Sequence, residues 1–272
     1  MTSQGKQKEK KIEYGFAEHQ GKRSEMEDIH VIENIGNWHI FCICDGHGGR
    51  GIVDLVASTL KQHLLTPIVA SLEEKKSGQW RQEIRKLFAK YDRYLYDQDK
   101  KKESGCTFNC VLYNTQTQTL ILINLGDSRS AVLCNQKEIH QTIDQKPASA
   151  IEQKRISLAH GCVSMGRVNG VLAVARALGD FSLKTYRQLP YDPVRGCVSA
   201  IPDVFVFNTS SCNTLDIVLA CDGIWDVLSS NDLFNISLIS SSSVSIAAQT
   251  CLETAYALES SDNMSIFVIS IR

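Results

Sequence analysis

The chain has 272 residues, of which 43% are hydrophobic and 22% are charged, as is typical of a globular protein with one large domain or two small ones. Its formal net charge is -1, so no overall field favours nucleic acid or an anionic membrane as a partner. No apolar stretch approaches the roughly 18 residues that a membrane span requires, so no span is expected.

The first eleven residues are polar and rich in lysine, and they lack the hydrophobic segment of a secretory signal. We predict a disordered basic tail over residues 1–11, followed by a single domain over residues 12–272. Nuclear import is an alternative role for the tail. Without a secretory signal, the sequence favours a reducing, intracellular compartment, namely the cytoplasm, with the nucleus as an alternative.

The ten cysteines of the chain are predicted to be free thiols. Cys42, Cys44, Cys110, Cys134 and Cys221 lie inside or at the ends of apolar runs, as small core residues do. No CxxC pair and no histidine spacing of a structural zinc site is present in the sequence.

Hydrophobic periodicity predicts a chain of short apolar strands and helices with one apolar stripe. The first part of the chain is predicted to contain strands at 14–18, 29–33 and 38–44, helices at 52–65 and 80–96, and a charged linker at 100–103. The middle part is predicted to contain a meander of strands at 107–113, 119–124 and 130–133, a helix at 151–160, a hairpin at 163–174 around Asn169-Gly170, and a long loop at 188–200. The last part is predicted to contain strands at 203–207 and 215–221, helices at 232–239 and 245–258 with a serine-rich linker at 240–243, and a strand at 264–271. Strands dominate, with helices in pairs between them, which indicates an α+β fold with a two-sheet core. The long loop at 188–200 is a candidate flap over a site.

Four of the predicted strands carry an aspartate at one tip. Asp45, Asp127 and Asp222 follow apolar runs, and Asp262 precedes one. If these tips converge, several carboxylates crowd together and need a cation to stay ionised. An all-oxygen cluster selects hard divalent ions such as magnesium or manganese. The alternative is four unrelated turn aspartates, since Asp-Gly is also a hairpin signal.

Six motifs together resemble the metal-dependent serine/threonine protein phosphatases, the type 2C or PPM family. They are Arg23-Ser24-Glu25-Met26-Glu27-Asp28, Asp45-Gly46-His47-Gly48-Gly49, Gly126-Asp127-Ser128-Arg129, Arg176-Ala177-Leu178-Gly179-Asp180, Asp222-Gly223-Ile224-Trp225-Asp226 and Asp262-Asn263-Met264-Ser265. The motifs occur in the family's order and cover the chain from about residue 14 to its end. The resemblance implies a four-layer α-β-β-α sandwich, in which two antiparallel sheets are flanked by paired helices, with the metal centre at one edge.

The resemblance also implies a role for each motif residue. The implied metal ligands are Asp45, whose carboxylate bridges two Mn²⁺ or Mg²⁺ ions, the Gly46 carbonyl for one ion, and Asp222 and Asp262 for the other. Glu27 and Asp28 are implied to hold metal-bound waters, and Asp127 and Asp226 to form a weaker third metal site. Arg23 is implied to bind the phosphate, and His47 to act as the general acid. A guanidinium can hold a phosphate through two parallel hydrogen bonds. For Arg23, a surface ion pair with Glu25 or Glu27 is the alternative.

The implied function is metal-dependent hydrolysis of phosphoserine and phosphothreonine in protein substrates by a monomer. The sequence departs from the family at Gln145, where histidine is usual, at Cys106, where serine or alanine is common, and in the serine-rich stretch near residue 240. None of these departures removes an expected metal ligand. A catalytically silent pseudophosphatase that binds phosphoproteins is the alternative function. A metal-dependent nuclease is disfavoured, because no basic groove with interleaved aromatic residues is evident.

Overall fold

The computed structural model describes residues 10–99, 103–185, 190–239 and 243–272. Its strands are β1 (Ile12–His19), β2 (Ile29–Ile35), β3 (Trp38–Cys44), β4 (Gly46–His47), β5 (Gly105–Cys106), β6 (Phe108–Asn114), β7 (Thr119–Leu125), β8 (Arg129–Cys134), β9 (Glu138–Gln141), β10 (Val163–Ser164), β11 (Arg167–Val168), β12 (Leu178–Gly179), β13 (Asp203–Asn208), β14 (Leu215–Ala220) and β15 (Met264–Ile271). Its α-helices are α1 (Gly51–Leu60), α2 (Thr66–Glu74), α3 (Ser77–Gln98), α4 (Ala150–Leu158), α5 (Phe181–Lys184), α6 (Asp222–Trp225), α7 (Ser230–Ile239) and α8 (Val244–Ala257).

Two five-stranded antiparallel sheets form the centre of the fold. Sheet I has the strand order β1-β15-β14-β8-β9, and sheet II has the order β13-β7-β6-β3-β2. Three short strands, in the order β12-β5-β4, form a small sheet next to the end of β3. This small sheet matters for function because it holds the residues that follow Asp45.

The two sheets pack face to face over an inner core. Successive side chains of a strand point to opposite faces, and in β3 Phe41 and Ile43 face the inner core while Ile40 and Cys42 face the helices. The Phe41 ring meets the Phe267 ring of sheet I at a centroid distance of 5.7 Å. Burial of such side chains is worth roughly 1.5–3 kcal/mol each.

Helices cover the outer face of each sheet. Phe88 of α3 and Leu60 of α1 pack on sheet II, whereas Leu233 of α7 and Leu252 of α8 pack on sheet I. The four layers are therefore helix, sheet, sheet and helix. This arrangement confirms the predicted α+β, α-β-β-α sandwich.

Two predicted elements differ in their connections. The single helix expected at 52–65 is α1 followed by a π-helical turn, Lys61–Leu65, that leads into α2. The predicted meander is wrong at its third strand, because β8 pairs with β14 in sheet I and not with β7. Gly126, with φ of 107°, lies at the corner where the chain leaves sheet II, and a side chain there would strain the backbone.

The predicted hairpin at 163–174 is present but turns earlier than expected. Val163 pairs with Val168 and Ser164 with Arg167, so the turn lies at Met165-Gly166. Asn169 and Gly170 also have positive φ, but they form the next turn along the chain. Two adjacent turn signals compete here, and the strand pairing decides between them.

The prediction that every cysteine is free is wrong for one pair. Cys134 at the end of β8 and Cys212 in the loop before β14 form a disulfide with a Cα–Cα distance of 5.6 Å, within the usual range for this bond. The pairing of β8 with β14 brings them together, because Cys134 lies opposite Leu215. Cysteine usage therefore gives no support to a reducing compartment.

Several predictions fall partly outside the described residues. These are the tail at residues 1–9, most of the linker at 100–103, the start of the loop at 188–200 and residues 240–242 of the serine-rich linker. At the near end of the tail, Lys11 exchanges two backbone hydrogen bonds with Arg272, of 2.8 and 3.0 Å. Within the ranges described, no helix has the length and apolar character needed to cross a bilayer.

Candidate metal centre

Acidic residues from both sheets meet at one edge of the sandwich. Asp45 follows β3 of sheet II, Asp222 opens α6 directly after β14 of sheet I, and Asp262 lies two residues before β15. Besides burial and Asp28, the carboxylates of Asp222, Asp127 and Asp262 all raise the pKa of Asp45. The strand tips that the sequence singled out are therefore close enough to repel one another.

Asp28 and Asp45 form the innermost part of this cluster, together with Cys221. Potential ligand atoms of the three side chains lie within 4.8 Å of one another. Asp28 is only 4% exposed, and neither of its carboxylate oxygens has a hydrogen-bond partner among the described residues. Burial raises the pKa of Asp28 to about 6; Ser265 and Cys221 oppose this rise, although neither reaches good hydrogen-bonding geometry.

Burial and mutual repulsion act on the other acids as well. Burial and then the Asp28 carboxylate raise the pKa of Asp45 well above its usual range. Burial, followed by Asp127 and Asp262, raises the pKa of Asp222 to about 7. Such shifts mean that ionisation of these carboxylates is costly in the folded chain by itself.

Two cations contact the rim of the cluster. The guanidinium of Arg23 donates to Asp262 Oδ2 at 2.6 Å, and the ammonium of Lys146 donates to Asp127 Oδ2 at 2.7 Å. Arg23 is the more exposed cation, with 58% of its side chain accessible. The alternative prediction of an ion pair with Glu25 or Glu27 is not what the structure shows.

The donor set fits hard divalent cations. It is built from carboxylates, and the oxygens of Asp28 lack partners within the described part of the chain. Burial, with the charges of Asp28 and Asp45, raises the pKa of Cys221 well above its ordinary value, so its thiol stays protonated and is a poor ligand for soft metals. Clustered oxygen donors of this kind suit magnesium or manganese.

Hydrogen bonds hold the loop between β1 and β2, which contains Glu27, against the segment that follows β3. Glu27 accepts a hydrogen bond from the Gly49 backbone N–H at 2.7 Å, and its own N–H donates to the Asn263 side chain at 2.8 Å. A Cβ atom at Gly46 would lie 2.5 Å from the Glu27 carbonyl oxygen. Residue 46 must therefore be glycine for Asp28 to approach Asp45.

His47 lies beside the acidic cluster on β4 and pairs with Asp180. The His47 Nε2 atom lies 2.8 Å from Asp180 Oδ2 and 3.0 Å from Oδ1. Burial acts to lower the pKa of His47, but the Asp180 carboxylate outweighs it and raises this pKa above its usual value. The imidazolium form of His47 is therefore favoured.

Asp226 is the one exposed residue among the predicted site acids. It is exposed at the end of α6 and forms no ion pair with any described residue. Its charge still raises the pKa of Asp222. It therefore lies near the cluster without belonging to its buried part.

Three residues that shape the site have no role implied by the sequence motifs. They are Asp180, Lys146 and Asn263; Asp180 and Asn263 lie inside two of the six motifs, and Lys146 directly follows Gln145. Asn263 donates to the carbonyls of Gln20 and Glu25 at 2.8 and 2.9 Å, which ties the loop between β1 and β2 to the start of β15. A buried acid at the end of Arg176-Ala177-Leu178-Gly179-Asp180 was the signal that could have identified Asp180.

Comparison with known proteins gives consistent matches along the chain. The family described as Protein phosphatase 2C matches residues 12–264. Protein phosphatase ppm-1.A of Caenorhabditis elegans is 35% identical over 280 residues, covering 95% of this chain and 59% of the relative. Human Protein phosphatase 1A is 33% identical over 278 residues, covering 95% of this chain and 70% of the relative.

Solved structures show the same fold. A crystal structure of a phosphatase from a pathogenic strain of Toxoplasma gondii has a TM-score of 0.79 and 22% identity, covering 96% of this chain and 95% of that one. A Caenorhabditis elegans sex determining protein has a TM-score of 0.75 and 24% identity, covering 96% of this chain and 64% of that one.

Proposed function

Since this chain belongs to the protein phosphatase 2C family, we propose that it hydrolyses phosphoserine and phosphothreonine in protein substrates with the help of manganese or magnesium. The observation that carries this proposal is the buried carboxylate cluster, in which the Asp28 oxygens have no partner among the described residues. The proposed complement is two ions, with a third bound more weakly.

The proposed ligands are those acids that the strand ends bring together. Asp45 and the Gly46 carbonyl would hold one ion, with Asp45 shared, and Asp222 and Asp262 would hold the other. Glu27 and Asp28 would fix water around the ions, and Asp127 and Asp226 would bind the third. Bound divalent ions of this kind supply an activated water and offset the charge of a phosphate.

Arg23 would bind and orient the substrate phosphate. Its guanidinium is exposed at the rim and contacts Asp262, and Asp262 raises its pKa, so the charge is permanent. A phosphate that enters the site would accept hydrogen bonds from the same donors. Binding a cation at Asp262 would release Arg23 for this contact, because the carboxylate would then be neutralised.

His47 would donate a proton to the departing serine or threonine oxygen. Its pKa is raised through Asp180, so a proton is available near neutral pH. Loss of His47 should therefore slow hydrolysis most for substrates with poor leaving groups. An aryl phosphate, whose leaving oxygen needs little protonation, should be affected least.

The direct test is phosphate release from a phosphothreonine peptide by the purified chain. We expect turnover with millimolar manganese and none with EDTA. Asp45→Asn and Asp222→Asn should each abolish turnover. The control is Asp97→Asn, which changes an exposed residue of α3 and should remain active. Phosphopeptide binding without turnover in manganese would instead support the pseudophosphatase.

A further inference from the structure

We propose that Asp180 is a positioning residue for His47, and that a buried cluster around Asp92 holds Asp180 in place. The inference rests on the proposed function, because it concerns the proton donor of that reaction. It assigns a task to two acids that lie outside the carboxylate cluster.

The contact between Asp180 and His47 fixes which ring nitrogen can reach a substrate. The Asp180 side chain is 5% exposed and that of His47 is 26% exposed, so the pair is sheltered from water. An ionised carboxylate only accepts hydrogen bonds, so Nε2 of His47 must carry a hydrogen. Nδ1 has no hydrogen-bond partner in the described part of the chain, and it is therefore the nitrogen left to exchange a proton with a substrate.

The backbone at Asp180 adopts a conformation that needs support. Asp180 has φ of 50° and ψ of 42°, and Gly179 has φ of 81°. Left-handed backbone is unfavourable at a residue other than glycine, because Cβ approaches the following carbonyl oxygen. The Asp180 N–H donates to the Ser104 carbonyl at 2.9 Å, and the Gly179 N–H donates to Asp92 Oδ1 at 2.9 Å.

Asp92 is the centre of a buried cluster. The Lys184 ammonium donates to Asp92 Oδ1 and Oδ2 at 2.8 and 2.9 Å and to the Ala177 carbonyl at 2.9 Å. The Tyr191 hydroxyl donates to Asp92 Oδ2 at 2.5 Å. Both side chains of the ion pair are 0% exposed. Helix α3 therefore anchors both sides of Asp180, through Gly179 before it and Lys184 after it.

The opposite wall of the pair is a glycine. A Cβ atom at Gly105 would lie 2.1 Å from Asp180 Oδ2 and 2.6 Å from His47 Nε2. Gly105 pairs with His47 on one side and with Gly179 on the other. The small sheet thus brings the two side chains together and leaves no room for a residue between them.

The first experiment compares two substrates that differ in their leaving group. For Asp180→Ala we expect kcat with manganese to fall about 30-fold on a phosphothreonine peptide and less than about 3-fold on p-nitrophenyl phosphate, with KM little changed. This difference is expected because weakened proton donation slows the substrate with the poorer leaving group more. Asp97→Asn should match the wild type on both substrates. Because the two residues act as one unit, adding Asp180→Ala to His47→Ala should cost less than about 2-fold more. An equal loss on both substrates, or fully additive losses, would overturn the proposal.

A second measurement does not depend on turnover. In protein labelled with ¹⁵N-histidine and held at a pH above the pKa of His47, the nitrogen spectrum of the metal-free chain should show the neutral Nε2–H form of His47, and Asp180→Ala should shift it toward the other tautomer. An unchanged His47 spectrum would overturn the positioning role. Should the wild type hydrolyse neither substrate, the proposed function fails, and this spectrum alone decides whether Asp180 positions His47.

The supporting cluster is tested with a mild variant, because loss of Asp92 or Lys184 risks unfolding. Tyr191→Phe removes one hydrogen bond to Asp92 and keeps the ring. We expect about a 3-fold fall in kcat on the phosphopeptide and no measurable change on the aryl phosphate, which corresponds to a small displacement of the proton donor. Equal turnover by variant and wild type on both substrates would remove the Asp92 cluster from the proposal.

Discussion

Replacing Asp222 by asparagine should stabilise the metal-free protein while it abolishes turnover. Asp222 has an ordinary pKa of 3.8 that is raised to about 7 in the folded chain, first by burial and then by Asp127 and Asp262. The folded chain therefore binds more protons than the unfolded chain between these two values. The free energy of unfolding must then fall as the pH rises through this window.

The structure sets the size of the effect. A pKa difference of about 3, at 1.36 kcal/mol for each pKa unit, gives an upper limit of roughly 4 kcal/mol at pH 8. Asp222 is partly exposed, and solvent screens part of the repulsion. We expect Asp222→Asn to raise the free energy of unfolding by about 2 kcal/mol at pH 8, which for a chain of this length raises Tm by about 4 °C.

Thermal unfolding followed by circular dichroism, with EDTA at pH 5 and pH 8, measures this effect. The gain should be larger at pH 8 than at pH 5, because Asp222 is already protonated in the folded chain at pH 5. With manganese the order should reverse, since the wild type gains binding energy that the variant has lost. A variant that is less stable than the wild type in EDTA at pH 8, or an order that manganese leaves unchanged, would refute the reasoning.

Three further changes should lower stability, each measured by chemical denaturation. Lys184→Met leaves Asp92 buried without its cation and should cost about 4 kcal/mol. Glu152→Gln should cost about 3 kcal/mol at pH 7 by breaking a buried pair with Arg176. Burial opposes ionisation of Glu152, but Arg176 outweighs it and lowers the pKa of Glu152 below its ordinary value of 4.5. The stability difference between variant and wild type should therefore disappear as the pH falls through that lower pKa. Cys212→Ser opens a disulfide between residues separated by 78 positions and should cost about 3 kcal/mol without reductant.

Each change has a control or an outcome that would contradict its explanation. Lys86→Met removes an exposed lysine of α3 that pairs with Glu83 at 2.9 Å, and it should cost under about 1 kcal/mol. For Glu152→Gln, a loss that stays constant down to pH 3 would contradict the ionic explanation. For Cys212→Ser, the difference from the wild type should vanish in dithiothreitol, and a difference that persists would place the effect in packing rather than in the covalent bond.

Hydrophobic periodicity predicted the two-sheet core and the strand tips well, because burial leaves a strong periodic pattern there, and the family resemblance implied the four layers. The strand at 38–44 matches β3 residue for residue, and Asp45 follows it directly, whereas β14 ends one residue earlier than predicted and Cys221 separates it from Asp222. The partner of β8 was not predictable in the same way. Every strand of the expected meander is apolar, and a turn at Gly126 can keep the chain in one sheet or send it to the other.

Contacts between side chains that are far apart in the sequence could not be predicted from local sequence patterns. Asp180 and His47 are separated by 133 positions, and only the small sheet that joins β12, β5 and β4 brings them together. Cys134 was read as a core residue because it ends an apolar run, and its partner Cys212 lies in a loop with no periodic pattern. Tertiary pairing decides both contacts, and local composition does not encode it.

The acids of the candidate metal centre are divided between the two sheets, with Asp45 on one and Asp222 and Asp262 on the other. The thickness of the inner core between the sheets, where Phe41 meets Phe267, therefore sets the spacing between the carboxylates that the two sheets contribute. Enlarging or trimming these rings would change that spacing, and with it the affinity for the proposed ions, without altering any proposed ligand. The strength of the proposed ion binding would then depend on the middle of the protein as well as on its rim.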